Sequence, residues 1–326
     1  MDMTDDRLSE GHRADYKPEG TDTKTSTFAT LKRTLKEFSE DNMTDWAAAL
    51  TYYGVLALFP ALIALVSILG LVGDPATTTQ TITDVVTQLG PASAAETLKG
   101  PIQSITSSSS GAGLAFILGL AGALWSASGF IGAFMRATQI IYETPEGRPI
   151  WKLRPLQLLV TLIMVLLTAL VALSLVATGP IVDAIAAPLG LSSTAVTIWD
   201  IAKWPVLVLV VLVMIDLLYY SAPNVKQRGF TWVTKGALLA LVVWFVASVG
   251  FAFYVANFGS YNKTYGSLGG VIALLVWFWI TNCALLLGMQ LNSERERNVE
   301  LAEGVPDAHR EIQREPRDEP KSKQTS

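Results

Sequence analysis

Of the 326 residues, 51% are hydrophobic and only 16% charged, where an average soluble domain carries about 25% charge, so an ordinary soluble globule is excluded. The charge gathers at the two ends, where the net −4 arises, and the middle is nearly bare of it, as in a polytopic membrane protein. One cysteine, Cys283, lies in an apolar run and the only histidines are His12 and His309, which excludes a disulfide framework and a thiolate metal site.

Residues 1–25 are rich in Asp, Gly, Thr and Lys and predict a disordered tail; no cleavable signal peptide is read there, because the first apolar run starts near residue 46. Phe28, Leu31, Leu35 and Phe38 then recur at three- and four-residue steps among Lys32, Arg33 and Lys36. That is a basic amphipathic helix, fit either to lie on an anionic inner leaflet or to pack on the protein's own surface. Residues 26–297 form a membrane domain with predicted spans at about 46–72, 114–137, 156–178, 199–220, 232–257 and 268–292. Each clears the roughly 20 residues needed to cross ~30 Å of hydrocarbon.

Within that series, Pro60 should kink the first span and free a carbonyl for a neighbour. The loop 73–112 carries two short amphipathic patterns, Ile82, Val85, Val86 and Leu89, then Leu98, Ile102 and Ile105, so it is expected to be partly helical. Gly119, Gly122, Ser126, Gly129, Gly132 and Ala133 give the second span a close-packing surface, which places it mid-bundle. The third span is almost purely aliphatic and suits a lipid-facing helix. Between the last two spans sits a polar-aromatic knot, Phe258 to Ser267, a short hairpin loop at a membrane boundary. From Ser293 the chain turns highly charged, and 298–326 is read as a disordered tail after a short helical extension.

Orientation follows from the basic residues. With the N-terminus inside, thirteen Lys and Arg near membrane ends fall on that side, including Arg136, Arg148, Lys235 and Arg295. Only Lys99, Lys203 and Lys263 fall opposite. The positive-inside rule then puts both termini in the cytoplasm, giving an all-α, six-helix, N-in/C-in bundle.

Several motifs carry a family resemblance over residues 30–297. Ala49-Leu50-Thr51-Tyr52-Tyr53 with Leu58-Phe59-Pro60, and Leu124-Trp125-Ser126-Ala127-Ser128-Gly129 followed by Arg136-Ala137 and Arg148 to Arg154, resemble the YihY/virulence factor BrkB family. So do Ala222-Pro223-Asn224 and, most specifically, Tyr261-Asn262-Lys263-Thr264-Tyr265-Gly266-Ser267, closed by Leu291-Asn292. The sequence departs from many family members at Gln290, where an acidic residue is common, and near Tyr220, where a basic one is. The resemblance implies a bacterial inner-membrane protein with six helices, linked to export of envelope lipid or lipopolysaccharide. The family's old ribonuclease label finds no support in these residues.

Metal-dependent hydrolysis needs clustered Asp, Glu or His, and none is visible; no P-loop or dinucleotide fingerprint occurs either. No enzyme, cofactor or metal is therefore expected. Arg148, Trp151, Lys152 and Arg154 read as a positive-inside anchor rather than a nucleic-acid face. Asp216 is the one clearly embedded carboxylate, either a functional group or a residue paired with Arg136 or Lys226 at the interface. Tyr52, Tyr53, Pro60, Ser126, Arg136, Asp216, Asn262, Tyr265 and Asn292 are the candidate pathway residues, by polarity and motif. The expected partners are membrane lipids and an envelope amphiphile as substrate, with a dimer as open as a compact monomer. The alternative is a non-transporting membrane scaffold for envelope partners.

Overall fold

The computed structural model describes residues 26–72, 112–176, 193–227, 229–257, 267–309 and 311–319. The expected loop helices between 73 and 111, and the knot with Asn262 and Tyr265, lie outside these residues. Seven helices form: α1 Thr27–Glu40, α2 Met43–Val72, α3 Ala112–Ile141, α4 Ile150–Val176, α5 Ser193–Ser221, α6 Lys235–Asn257 and α7 Ser267–Glu303. The architecture is all-helical; among the described residues the single β-type contact is an isolated bridge between Val225 and Pro316. Four helical segments are long and apolar enough to cross a membrane: Ile150–Leu175, Thr197–Ser221, Lys235–Ala256 and Gly269–Glu303. Helices α2 and α3, 30 residues each, complete the set of long elements.

Consecutive long helices are neighbours, and α7 returns to pack on α2, so α2 to α7 close into a ring. Helix α3 touches α2, α4 and α7, in keeping with its small-residue surface. The thinnest seam of the ring is between α5 and α6. On α4, Leu159, Leu162, Leu166, Leu170 and Leu173 stay exposed at helical spacing, the outward stripe of a lipid-facing helix.

The seam of α6 against α7 is close-packed. Gly236 and Gly288 face each other, and a Cβ on either would run into the other's carbonyl oxygen. A Cβ at Gly288 would also lie 2.8 Å from that of Ala240 and 2.5 Å from the Tyr219 hydroxyl, which donates to the Leu285 carbonyl at 2.5 Å. Gly288→Ala is therefore expected to force the helices apart and destabilise by at least about 1–3 kcal/mol. Gly250→Ala, with open space around it, should be neutral or slightly stabilising. Thermal unfolding of the purified variants in detergent checks both.

Helix α1 inverts the usual amphipathic arrangement. Its buried residues are Thr30 and Thr34, and Arg33 reaches Glu294 and Asn298 of α7. Asn298 also donates to the Thr30 hydroxyl at 2.9 Å. The polar side thus faces the bundle, while Phe28, Leu31 and Leu35 are exposed beside Lys32 and Lys36. A turn at Asn42, whose φ of 51° suits Asn, leads into α2.

The C-terminal end corrects the expectation of a disordered tail from 298. Helix α7 runs eleven residues past 292 because Glu294, Arg297 and Glu300 point inward, where they find charged partners. It ends in a Schellman turn: Gly304, at φ 72°, donates to Leu301 and Val305 to Glu300. The following strap buries Ala308 and Ile312 and crosses the loop after α5. Lys226 N–H donates to the Glu315 carbonyl at 2.8 Å and Arg317 N–H to that of Asn224 at 3.0 Å. Few of these residues are apolar, so composition alone misses the segment; backbone pairing and arginines hold it.

Candidate functional site

Two of the sequence candidates meet where α6 begins. Asp216, from the last turns of α5, accepts from the Thr234 hydroxyl at 2.5 Å and from the Thr234 N–H at 3.0 Å. Asn292, from α7, accepts from the Gly236 N–H at 2.9 Å and donates to the Thr234 hydroxyl at 3.0 Å. Thr234 itself caps α6, accepting from the Ala237 N–H at 3.1 Å. The buried carboxylate is thus satisfied by a hydroxyl, an amide and the positive end of a helix, and by neither Arg136 nor Lys226. Asp216 positions the α5–α6 connection. Asp216→Ala is expected to lower stability by about 1–2 kcal/mol and Asp216→Asn by less, measured as thermal unfolding.

A cavity of about 450 Å³ opens beside this cap, between α5, α6 and α7. Asp216, Tyr219, Tyr220, Thr234 and Asn292 line it, joined by Lys235, Arg295 and Glu296 and by Arg314 from the C-terminal strap. Arg314 is held by Glu296 at 3.1 Å and Glu300 at 3.4 Å. Among the described residues Lys235 and Arg295 make no ion pair. Next to the cavity, Tyr220 meets Phe230 edge-on at 5.5 Å and Phe230 meets Trp232 at 5.3 Å, with Trp232 68% exposed. Arg317 lies 4.8 Å over the Tyr220 ring and donates to the Tyr220 and Val225 carbonyls, both at 2.8 Å, tying the strap to the cavity wall.

A second group of candidates meets elsewhere. The Arg136 guanidinium sits 5.4 Å over the Tyr53 ring, and Tyr53 meets Tyr52 edge-on at 5.5 Å. Ser126 is exposed on α3 and joins neither group. Pro60 lies in continuous helix, its side chain outside the described residues. Among the candidates whose side chains are described, Asp216 and Asn292 thus meet at one place and Tyr52, Tyr53 and Arg136 at another. Thr234, Lys235, Arg295 and Arg314 were not among them. Arg295 could have been found, since it follows Asn292 by three residues and so shares its face of a helix.

The same end of the bundle holds a second charged group. Gln290 donates to Asp41 at 3.4 Å, and Asp41 is pushed up to about 6, chiefly by burial and then by the Glu37 and Glu143 carboxylates. Because the folded value is raised, protonation favours the folded state. That stability is full below about 4 and is lost as pH rises through about 6. Unfolding temperature should fall between pH 5 and pH 7, and Asp41→Asn should flatten the profile and stabilise the neutral form.

The Virulence factor BrkB family matches residues 34–312. The chain belongs to it. A ribonuclease-like protein, YfkH of Bacillus subtilis, is 31% identical over 277 residues, 85% of this chain and 98% of the relative. A UPF0761 membrane protein of Tolumonas auensis is 36% identical over 77 residues, a quarter of each chain, and one of Photobacterium profundum 34% over 91 residues. No solved structure matches. The BrkB-family match takes in Asp216, Thr234 and Asn292 and extends into the strap as far as Ile312, stopping short of Arg314 and Arg317.

Proposed function

We propose that the chain is a six-span protein of the bacterial inner membrane, with both termini cytoplasmic, through which an envelope lipid or similar amphiphile moves. The observation that carries this reading is the cavity beside the α5–α6 seam of the helix ring, whose largely apolar lining carries polar and charged side chains and is flanked by exposed aromatics. Such a place takes a polar head while leaving the apolar part in lipid. The positive-inside count puts this end in the cytoplasm. With α1's apolar side turned outward beside Lys32 and Lys36, the helix would rest in the inner leaflet while its polar side holds the bundle.

Reconstitution in liposomes tests this reading. Fluorescent phospholipid exchange between leaflets should exceed that of empty liposomes. Thr231→Trp, which fills the cavity from an exposed wall position, should slow exchange without affecting folding, and Asn262→Ala should report on the opposite loop. Exchange no faster than in empty liposomes, or untouched by Thr231→Trp, counts against it. The scaffold reading expects instead that function survives the cavity variant.

A further inference from the structure

We infer that the cavity beside the α6 cap recognises the phosphate of its amphiphile, through Lys235 and Arg295. This rests on the reading above and narrows it to a chemical class. Cations that serve only the fold are normally consumed by carboxylates, and the neighbouring ones here are: Arg314 by Glu296 and Glu300, Arg297 by Glu143 and Glu294. Lys235 and Arg295 line the same cavity and, among the described residues, pair with nothing. The two carboxylates in the wall do not compete for them. Asp216 is taken by Thr234, and Glu296 by Arg314 and Tyr142.

Lys235 and Arg295 suit phosphate in complementary ways. A guanidinium offers a planar fork that bonds two oxygens at once, and an ammonium adds a mobile point charge. The Thr231 hydroxyl contributes a neutral polar group in the same wall. The cap at α6 is already filled by Asp216 and Asn292, so the anion would be held by side chains and not by the helix end. The hydrophobic part has a place as well. From Val233 the exposed residues of α6 continue as Leu238, Val242 and Val246 along the lipid-facing surface, and Phe230 and Trp232 flank the opening. A phosphate head between two cations and acyl chains along α6 fits this layout; a zwitterionic head, whose own ammonium would face Lys235 and Arg295, fits it less well.

The test uses the full chain in nanodiscs of phosphatidylcholine doped with phosphatidic acid, with retained lipid counted by native mass spectrometry. Wild type should keep phosphatidic acid in preference to phosphatidylcholine. Lys235→Gln with Arg295→Gln should cut that preference by at least about tenfold, as expected for losing charge-assisted bonds. Lys226→Gln, which removes an exposed surface charge outside the cavity lining, should not. Should the double variant fold poorly, exposed Lys235→Gln alone should still weaken retention. Competition by inorganic phosphate would mark a site that reads phosphate alone, and its failure a site that needs the lipid. Equal retention of both lipids by wild type, or a preference unchanged in the cavity variants, overturns the inference. Leaflet exchange of fluorescent phosphatidic acid, beside that of phosphatidylcholine, separates the two claims: exchange without phosphate preference sinks only the inference, and preference without exchange of either lipid sinks only the transport reading.

Discussion

Replacing Arg297 with methionine is expected to leave little folded protein. Its side chain is 5% exposed and stands among three carboxylates, Glu143 at 3.1 Å, Glu294 at 3.5 Å and Glu37 at 3.7 Å. They come from α1, from the turn after α3 and from α7 itself, so one guanidinium joins three parts of the chain. Glu294 is fully buried and keeps Arg33 as a partner, but among the described residues Glu37 and Glu143 would have no cation left. Breaking a buried ion pair from one side costs about 3–5 kcal/mol, which rivals the whole stability of many domains. Burial already raises the Glu143 carboxyl against the pull of Arg297, so removing the cation pushes it further toward the neutral form. The loss should accordingly be partly recovered at acid pH. Arg297→Lys, which keeps charge but not the fork, should fall between. By contrast, breaking the exposed Lys36–Glu40 pair should cost no more than about 0.5 kcal/mol. Monodisperse yield and unfolding temperature in detergent, at pH 5 and pH 7.5, decide the matter.

What the sequence revealed follows from which forces leave a periodic trace. Long aliphatic runs are long because hydrocarbon has no other partner for the backbone, so α4, α5 and α6 were visible, their ends to within two residues and their starts to within six. The start of α6 moved from 232 to 235 because Asp216 and Asn292 fix the cap at Thr234, a long-range event that no local pattern encodes. Asp216 itself stood out by its chemistry, yet its partner came from eighteen residues away and was a threonine, not a cation. Glu294, Arg297 and Glu300 looked like a solvated run because charge usually means solvent; here their helix-spaced side is turned onto α1 and the strap. Lys235 and Arg295 sit 60 positions apart and meet only through the packing of α6 on α7.

Cutting the chain after Glu303 should destabilise it strongly, whereas cutting after Glu319 should be silent. The longer deletion removes Ile312 and Ala308 from the core, the Val225–Pro316 bridge, and both carbonyl bonds of Arg317. Each buried bond contributes about 1 kcal/mol net, and the orphaned groups add to the loss. It also strips Arg314 from Glu296 and Glu300, leaving two carboxylates unopposed in and beside the cavity. The shorter deletion touches none of these. Gly147→Ala offers the same perturbation without truncation, because a Cβ there would run into the Asp318 backbone and lift the strap from its loop. Both variants should lower the unfolding temperature and weaken leaflet exchange together, and a cut after Glu303 that leaves both intact would remove the strap from the fold's working parts. This bears on how a scaffold is told from a transporter. Loss of function on removing residues 304–326 is explained by the strap's place in the bundle and says nothing of partners. Only removal of residues 1–25 with 320–326, which spares every contact described, separates recruitment through the tails from passage through the membrane.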